Sequence, residues 1–392
     1  MKYILVINAG SSSLKAQIFD YDLEKCLINA NYSGLNSKEQ TTRKIVIEDK
    51  KDKLNLNLNN HELAVNDFLK YISENKIISS LEDIIYIGHR VVHGGEKYNK
   101  TIEISKDVLD TLEQMSFLAP LHNPINLQCI KIFLEKLPKA KEFAVFDTAF
   151  HSTMPKEIYL YGLPIEYYDK YKIRKYGFHG ISHKYVANEC ARILNKNINK
   201  LKIVTCHLGN GQSITAINNG KSYDTSMGFT PLEGLPMGTR AGSFDPEIIL
   251  FLLEQGLTKE EIKTTLNKKS GLLGLSNISH DHYIIETQSK EGNVNALLTN
   301  NILVNRIVKI IGSYIAELQG IDAIVFTGGI GENSPYLRKL VLEHFRFLGL
   351  SLNDENNESN KTFLTNDESK IISLLIPTNE ELQIVKEIKE II

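Results

Sequence analysis

Three glycine-bearing turns carry the residue types that handle phosphate. Ile203 to Ile217 reads as an apolar run, the turn Gly209-Asn210-Gly211, and a period-two run through Ile214 and Ala216, a pattern that predicts a β-hairpin. Glycine permits positive φ and close approach, so backbone N–H groups in such a turn can face a phosphate with no Cβ between. The start of the chain repeats the pattern, with Tyr3 to Ile7 entering Asn8-Ala9-Gly10-Ser11-Ser12-Ser13 and Leu14, Ala16 and Ile18 alternating afterwards. A third apolar run, Ile321 to Phe326, enters Thr327-Gly328-Gly329-Ile330-Gly331-Glu332-Asn333. There Ser334-Pro335 is a cap and first-turn pair that starts a helix, a place that suits an anion. Arg90, Arg240, His179 and Asp147 accompany these turns. No Walker lysine pattern is present; backbone amides with Mg2+ held by carboxylates would do the same electrostatic work on a nucleoside triphosphate. An acceptor hydroxyl would need a carboxylate base, whereas a carboxylate acceptor is already ionised and needs only the positive charge that Arg90 and Arg240 supply.

Each of these residues also has a plainer reading. Asp147 suits any turn that leaves a strand, Arg90 between His89 and His93 suits an ordinary ion pair, and His179 suits a plain glycine-rich loop. Thr378-Asn379-Glu380-Glu381 reads as a capping box in which Glu381 reaches back to the cap and leaves Glu380 free for the site.

The elements that must position these residues alternate between strand and helix. Arg43 to Ile47 and Leu54 to Leu58 flank Asp49-Lys50-Lys51-Asp52 as a second hairpin. Residues 61 to 74 carry helical spacing, a strand from Ile84 to Ile87 delivers Arg90, and Asn123-Pro124 starts a helix that Pro138 ends. The strand Phe143 to Phe146 presents Asp147. Ser182 is expected to cap a helix that buries Val186, Cys190 and Leu194, and Ile302 to Leu318 is a long helix pattern. Asp224 to Glu247, which holds Arg240, has many Gly and Pro and no periodicity, and Asn353 to Lys361 reads as a surface loop. Strands that end in polar residues and alternate with helices describe an α/β fold with ligands beyond the strand ends.

The chain of 392 residues is too long for one ordinary core, and a boundary near residue 150 divides it into two domains. A net charge of −2 with no basic block excludes the electrostatic footprint of a nucleic-acid binder. Cys26, Cys129, Cys190 and Cys206 are spaced neither as a disulfide framework nor as a zinc site and are expected to be buried thiols. No apolar stretch reaches the length of a membrane span and no signal pattern opens the chain, so the expected compartment is the cytosol.

The runs Asn8 to Lys15, Gly88 to Glu96, Val145 to His151, Tyr176 to Tyr185, His207 to Ser213, Asp224 to Arg240 and Phe326 to Ser334 closely resemble the acetate kinase family. The resemblance runs from residue 1 to the final helix. It implies the fold of the acetate and sugar kinase, heat-shock protein and actin superfamily, which is ribonuclease H-like: two related domains around a nucleotide cleft. Domain 1–150 would carry the acceptor and phosphate loops and be completed by the helix 379–392; domain 151–378 would bind nucleotide and form a homodimer interface. It further implies reversible Mg2+-dependent phosphoryl transfer between ATP and acetate, with Mn2+ as a substitute metal and ADP as the other nucleotide. Propionate or another short carboxylate is the alternative acceptor. An ATP-driven conformational protein of the same fold is the alternative class, and it would have no need of two arginines around a carboxylate.

Carried over by motif, Arg90 and Arg240 correspond to the pair on the carboxylate and the phosphoryl group in flight, and His179 to a hydrogen-bond donor to that group. Asp147 and Glu380 correspond to the residues that place Mg2+, with Asn8 beside them. Asn8, Ser11, Ser13, Lys15, His207, Leu208, Gly209, Asn210 and Gly211 match phosphate-binding positions. Asp281, Gly329, Ile330, Gly331 and Asn333 fall in nucleoside-binding segments. Val92, Leu121, Phe178 and Pro231 match the pocket for the acetate methyl. The chain departs from the family at Asp281-His282-Tyr283, where Asp-x-Arg is usual.

Overall fold

A computed structural model describes residues 1–37, 40–119 and 122–392. The chain separates into two compact units, one made of Met1–Phe150 with Asn379–Ile392 and the other of His151–Thr378. Among the described residues no helix is long and apolar enough to cross a membrane.

The first unit is built on an eight-stranded sheet. Its strands are β1 (Tyr3–Gly10), β2 (Ser13–Asp20), β3 (Cys26–Ser33), β4 (Thr41–Ile47), β5 (Lys50–Leu56), β6 (Ile84–Val91), β7 (Ile102–Glu103) and β8 (Lys141–Phe146), in the order β5-β4-β3-β2-β1-β6-β8-β7. The run Ile4 to Ile7 is buried on both faces, as a central strand requires, and β1 pairs antiparallel with β2 and parallel with β6. Leu5, Ile7 and Ala9 pack with the helices His61–Glu74 and Asn123–Lys136 through Phe68, Cys129 and Phe133. The helix Glu380–Lys389 also packs on this sheet, against β1, β6 and β8. Gly88 makes that contact possible, since a Cβ there would sit 2.5 Å from Ile384 and 2.7 Å from Ile388.

The second unit repeats the plan with five strands, β9 (Lys202–Leu208), β10 (Gln212–Asn218), β11 (Lys221–Thr225), β12 (Ala323–Thr327) and β13 (Ile372–Leu375), in the order β11-β10-β9-β12-β13. In both units an antiparallel three-stranded meander is followed by two parallel strands on the far side of its first strand. The likeness seen between the two hairpins therefore extends to the whole of each central sheet. The helix Val294–Glu317 buries Leu303, Ile307 and Ile311 on β9 and β10, and the helix Gly180–Ile193 packs on β9 and β12.

Several local expectations differ from the structure. The second hairpin turns at Glu48-Asp49, with Ile47 opposite Lys50 and Glu48 at φ 51°, so Lys50 to Asp52 are strand. Helix Gly180–Ile193 is entered by His179 in the left-handed region, and Ser182 lies inside it with its hydroxyl on His207 and Thr378. The long helix begins at Val294, eight positions before the expected Ile302, because Asn293 caps it. Gly328–Asn333 is itself a helical turn, and Ser334 caps the next helix through Leu337 N–H at 3.1 Å. Residues Asp354–Glu358 form a short helix in which buried Asn357 holds the fully buried Arg338. Cys129, Cys190 and Cys206 are buried, but Cys26 is exposed.

Candidate active site

In the first unit the site residues gather where β1, β6 and β8 end. Register places Asn8 opposite Lys15, and a two-residue turn, Ser11-Ser12, links Gly10 to Ser13. Ser11 and Lys15 are exposed. The turn is pinned from behind: His61 Nε2 lies 2.8 Å from the Gly10 carbonyl, Asn36 donates to the Ser11 carbonyl, and Asn126 donates to the Ala9 carbonyl at 2.8 Å. The same Asn126 side chain accepts the Val92 N–H at 3.2 Å, so one buried amide ties the Ser11-Ser12 turn to the strand that carries Arg90.

Arg90 and Asp147 leave neighbouring parallel strands side by side. Arg90 Nε donates to Asp147 Oδ1 at 2.9 Å, its Nη2 contacts Asp147 Oδ2, and its Nη1 donates to Asn8 Oδ1 at 3.0 Å. Glu380 approaches the same guanidinium at 4.0 Å. Burial alone would lower the Arg90 pKa, but Asp147 and then Glu380 outweigh it and hold it above the ordinary value. Glu380 moves the other way. Burial first, with repulsion from Asp147 and Glu381, pushes its carboxyl up to about 7 against the pull of Arg90 and Lys15. The expected capping box does not form, because Asn379 rather than Thr378 is the cap: its Oδ1 accepts the Leu382 N–H at 2.9 Å. Asn caps at least as well as Thr, and the shift makes Glu380 the first helical residue and Glu381 the second.

In the second unit the turn between β9 and β10 has three residues, Gly209-Asn210-Gly211. Gly211 lies against two site residues, since a Cβ there would stand 2.9 Å from Arg240 Nη2 and 3.4 Å from His179 Nε2. Arg240 Nη1 donates to the Pro231 carbonyl at 2.7 Å. Burial lowers the Arg240 pKa, and among the described residues no carboxylate of this unit is paired with it. The His179 ring stacks on that of His207, with centroids 4.4 Å apart, and its Nδ1 lies 2.9 Å from Ser213 Oγ. Phe178 is buried, and its carbonyl accepts from His151 Nε2 at 2.9 Å.

Gly209, Asn210, Asp281, Gly329, Ile330 and Asn333 line one cavity of about 570 Å³, together with His280, His282, Tyr283, Glu286 and Ser334. That volume is ordinary for a small-molecule site. Gly331 and Leu208 are buried and are not among its lining residues. Asp281 caps the helix His282–Lys290 through Tyr283 N–H, and Tyr283 is 76% exposed. Val92 is buried at the end of β6, and Pro231 is half-buried. Leu121 lies outside the described residues. Sequence reasoning missed the supports: Asn126 and Ser213 look like an unremarkable helix residue and strand residue, and only their buried polar atoms reveal them.

The donor set fits Mg2+ in part. Among the described residues no three His, Cys, Asp or Glu side chains group as a metal site. Asp147, Glu380 and the Asn8 amide oxygen nonetheless surround one guanidinium with hard oxygen donors, and Mg2+ is usually held by only one or two carboxylates plus phosphates and water.

Residues 3–386 match the pattern of the Acetokinase family. The acetate kinase of Fervidobacterium nodosum is 48% identical over 398 residues, covering 99% of this chain and 97% of that protein. That of Bacillus cytotoxicus is 47% identical over 391 residues, covering 99% and 98%. The crystal structure of Porphyromonas gingivalis acetate kinase superposes with a TM-score of 0.94 at 39% identity over 100% of both chains. A propionate kinase from Francisella tularensis gives 0.93 at 39% over 99% of both. The fold is thus the α/β fold of the acetate and sugar kinase, heat-shock protein and actin superfamily, and the chain belongs to the acetokinase family, phosphotransferases whose acceptor is a carboxyl group.

Proposed function

We propose that the protein transfers the γ-phosphoryl group of ATP directly and reversibly to acetate. A carboxylate oxygen of acetate forms the new bond to the γ-phosphorus, the bond to the β–γ bridging oxygen breaks, and ADP leaves with that electron pair. The observation that carries this reading is the pair of half-buried guanidinium groups: a carboxylate acceptor needs no base, only positive charge.

Arg90 binds the acetate carboxylate while Asp147 and Asn8 fix its orientation. Arg240, anchored by the Pro231 carbonyl, and His179 hydrogen-bond to the phosphoryl group in flight. Asn8, Ser11, Ser13 and Lys15 in one unit and His207 to Gly211 in the other hold phosphates, and the cavity of Asn210, Asp281, Gly329, Ile330 and Asn333 holds the nucleoside. Asp147, Glu380 and Asn8 would hold Mg2+ or Mn2+, which when bound supplies charge neutralisation at the phosphates. Val92, Phe178 and Pro231 bound the acyl chain, with Leu121.

The homodimer rests on the helix Glu247–Glu254, whose Ile248, Leu250, Phe251 and Leu253 are all between 44% and 56% exposed. An acceptor longer by one carbon is the second reading, favoured by the propionate kinase of closely similar structure. A coupled assay with ATP, Mg2+ and a panel of acids, trapping acyl phosphate as hydroxamate, decides both. Acetyl hydroxamate as the main product is expected; nucleotide turnover indifferent to the acid would overturn the proposal.

A further inference from the structure

His179 is one of several histidines in the second unit, and the proposed chemistry leaves a connected part of that set unused. His183, one turn further along the helix Gly180–Ile193, is fully buried. Its Nδ1 lies 2.7 Å from Thr205 Oγ1, and its Nε2 lies 2.7 Å from Ser213 Oγ. The same Ser213 hydroxyl lies 2.9 Å from His179 Nδ1. Thr205 and Ser213 are also fully buried, on the adjacent strands β9 and β10. Burial, reinforced by His151 and His207, pushes the His183 pKa well below the ordinary histidine value, so the ring is neutral.

A neutral imidazole has one N–H and one lone pair, so the two hydroxyls flanking His183 play opposite parts. Ser213 has a single proton to give. In one arrangement His183 Nε2–H donates to Ser213 Oγ, the Ser213 proton goes to His179 Nδ1, and Thr205 donates to His183 Nδ1. The His179 proton then sits on Nε2. In the other arrangement His183 Nδ1–H donates to Thr205, Ser213 donates to His183 Nε2, and His179 Nδ1 becomes a donor. Both arrangements conserve every proton and every hydrogen bond, and they differ in which His179 nitrogen donates.

Nε2 is the nitrogen on the Gly211 side: a Cβ on Gly211 would stand 3.4 Å from it and 2.9 Å from Arg240 Nη2. A hydrogen bond donated there to a phosphoryl oxygen needs the first arrangement, and that arrangement delivers it without charging the ring. The stack with His207 fixes the ring plane, and His207 is fixed in turn by Ser182 Oγ 2.8 Å from its Nδ1.

We infer that His183 is a positioning residue which, through the Ser213 hydroxyl, holds the proton of His179 on Nε2. The inference rests on the reading that His179 donates to the group in transfer, and the experiment separates the two. Two-bond 1H–15N correlations of the full chain labelled at the imidazole nitrogens read the tautomer directly, with His179→Gln for assignment. Wild type is expected to show His179 protonated at Nε2. His183→Phe fills the same space without either hydrogen bond; it should give mixed His179 tautomers. Its kcat should fall about tenfold to hundredfold, the range typical of losing a partner that orients an imidazole, with KM for ATP and acetate little changed. His183→Gln, whose amide N–H can replace Nε2–H toward Ser213, should restore the tautomer and most of kcat. If His183→Phe fails to fold, Ser213→Ala carries the same test. An Nδ1-protonated His179 in wild type, or an unchanged tautomer in the folded variants, overturns the inference. If the tautomer responds as expected while His179→Gln keeps full turnover, the relay stands and the role given to His179 falls.

Discussion

Arg90 and Arg240 are both half-buried, yet they are held by opposite means. Arg90 is enclosed by acids, with both Asp147 oxygens, the Asn8 amide oxygen and, further off, Glu380 around it. Arg240 is anchored by a peptide carbonyl and, among the described residues, carries a charge that no carboxylate of its unit offsets. A paired charge is held in a fixed geometry and strands its partner if removed, whereas an unpaired charge costs stability and stays available to an incoming anion. The first suits a group that must be aimed; the second suits a group that must stabilise.

The sharpest test of that contrast is to remove each guanidinium. Arg90→Ala and Arg240→Ala should each lower kcat/KM by about 10³-fold or more, as loss of a phosphoryl-transfer clamp does. Their stabilities should part. Arg90→Ala strands the buried Asp147 carboxylate and should cost about 3–5 kcal/mol in urea unfolding, while Arg240→Ala should be neutral or stabilising. Equal losses would erase the distinction.

A smaller effect comes from Gly211→Ala, whose methyl would crowd Arg240 Nη2 at 2.9 Å. Displacing the guanidinium by a few tenths of an ångström should reduce kcat by roughly tenfold to hundredfold, since misplacement of about 1 Å can cost 10²-fold. Binding of acetate by Arg90 should be spared. A variant as active as wild type would mean that Arg240 moves freely.

Glu380→Gln addresses the acidic side. The folded pKa of Glu380, about 7, lies above the ordinary carboxylate value, so the proton favours the native state. Its stabilising contribution is complete at pH below the unfolded value and is lost as pH rises through 7. The metal-free Gln variant should therefore unfold later than wild type at pH 8, by up to roughly 3 kcal/mol, with the gap closing toward pH 5. A constant gap across that range would show that Glu380 is already ionised in the native protein.

The smallest effect concerns acid length. Val92 is buried, and its N–H is fixed by Asn126. Its β-branched side chain cannot swing aside, and an apolar pocket discriminates by about 1–3 kcal/mol per methylene. Val92→Ala should raise the propionate-to-acetate ratio of kcat/KM, mainly through KM. An unchanged ratio would make Val92 part of the core alone.

The sheets were legible because Leu14, Ala16 and Ile18, or Ile214 and Ala216, repeat at period two beside a glycine turn, a pattern that few other folds of the backbone accept. Composition and spacing placed the helices but not their first residues. Thr378 and Asn379 are both good caps, and tertiary contacts of Thr378 with Ser182 and Glu332 decide between them. Gly328–Asn333 has no periodicity to betray a helix. Arg338 looks like a surface residue until Asn357, nineteen positions away, is seen accepting its Nε–H. Site supports such as Asn126, Ser213 and His183 are invisible for the same reason: a polar residue in an apolar element announces nothing until its partners are known.

The helix Glu380–Lys389 seals a sheet whose strands were made long before it. On a translating ribosome, β1, β6 and β8 emerge first and wait, with Gly88 uncovered, while the whole of His151–Thr378 is synthesised. Thr101 meets Glu387 across a separation of 286 residues. Contacts that distant make folding slow and leave apolar surface open to aggregation meanwhile. The helix that closes this sheet also brings Glu380. A chain halted before that helix would therefore hold a nearly finished sheet and still lack part of the acidic cage around Arg90.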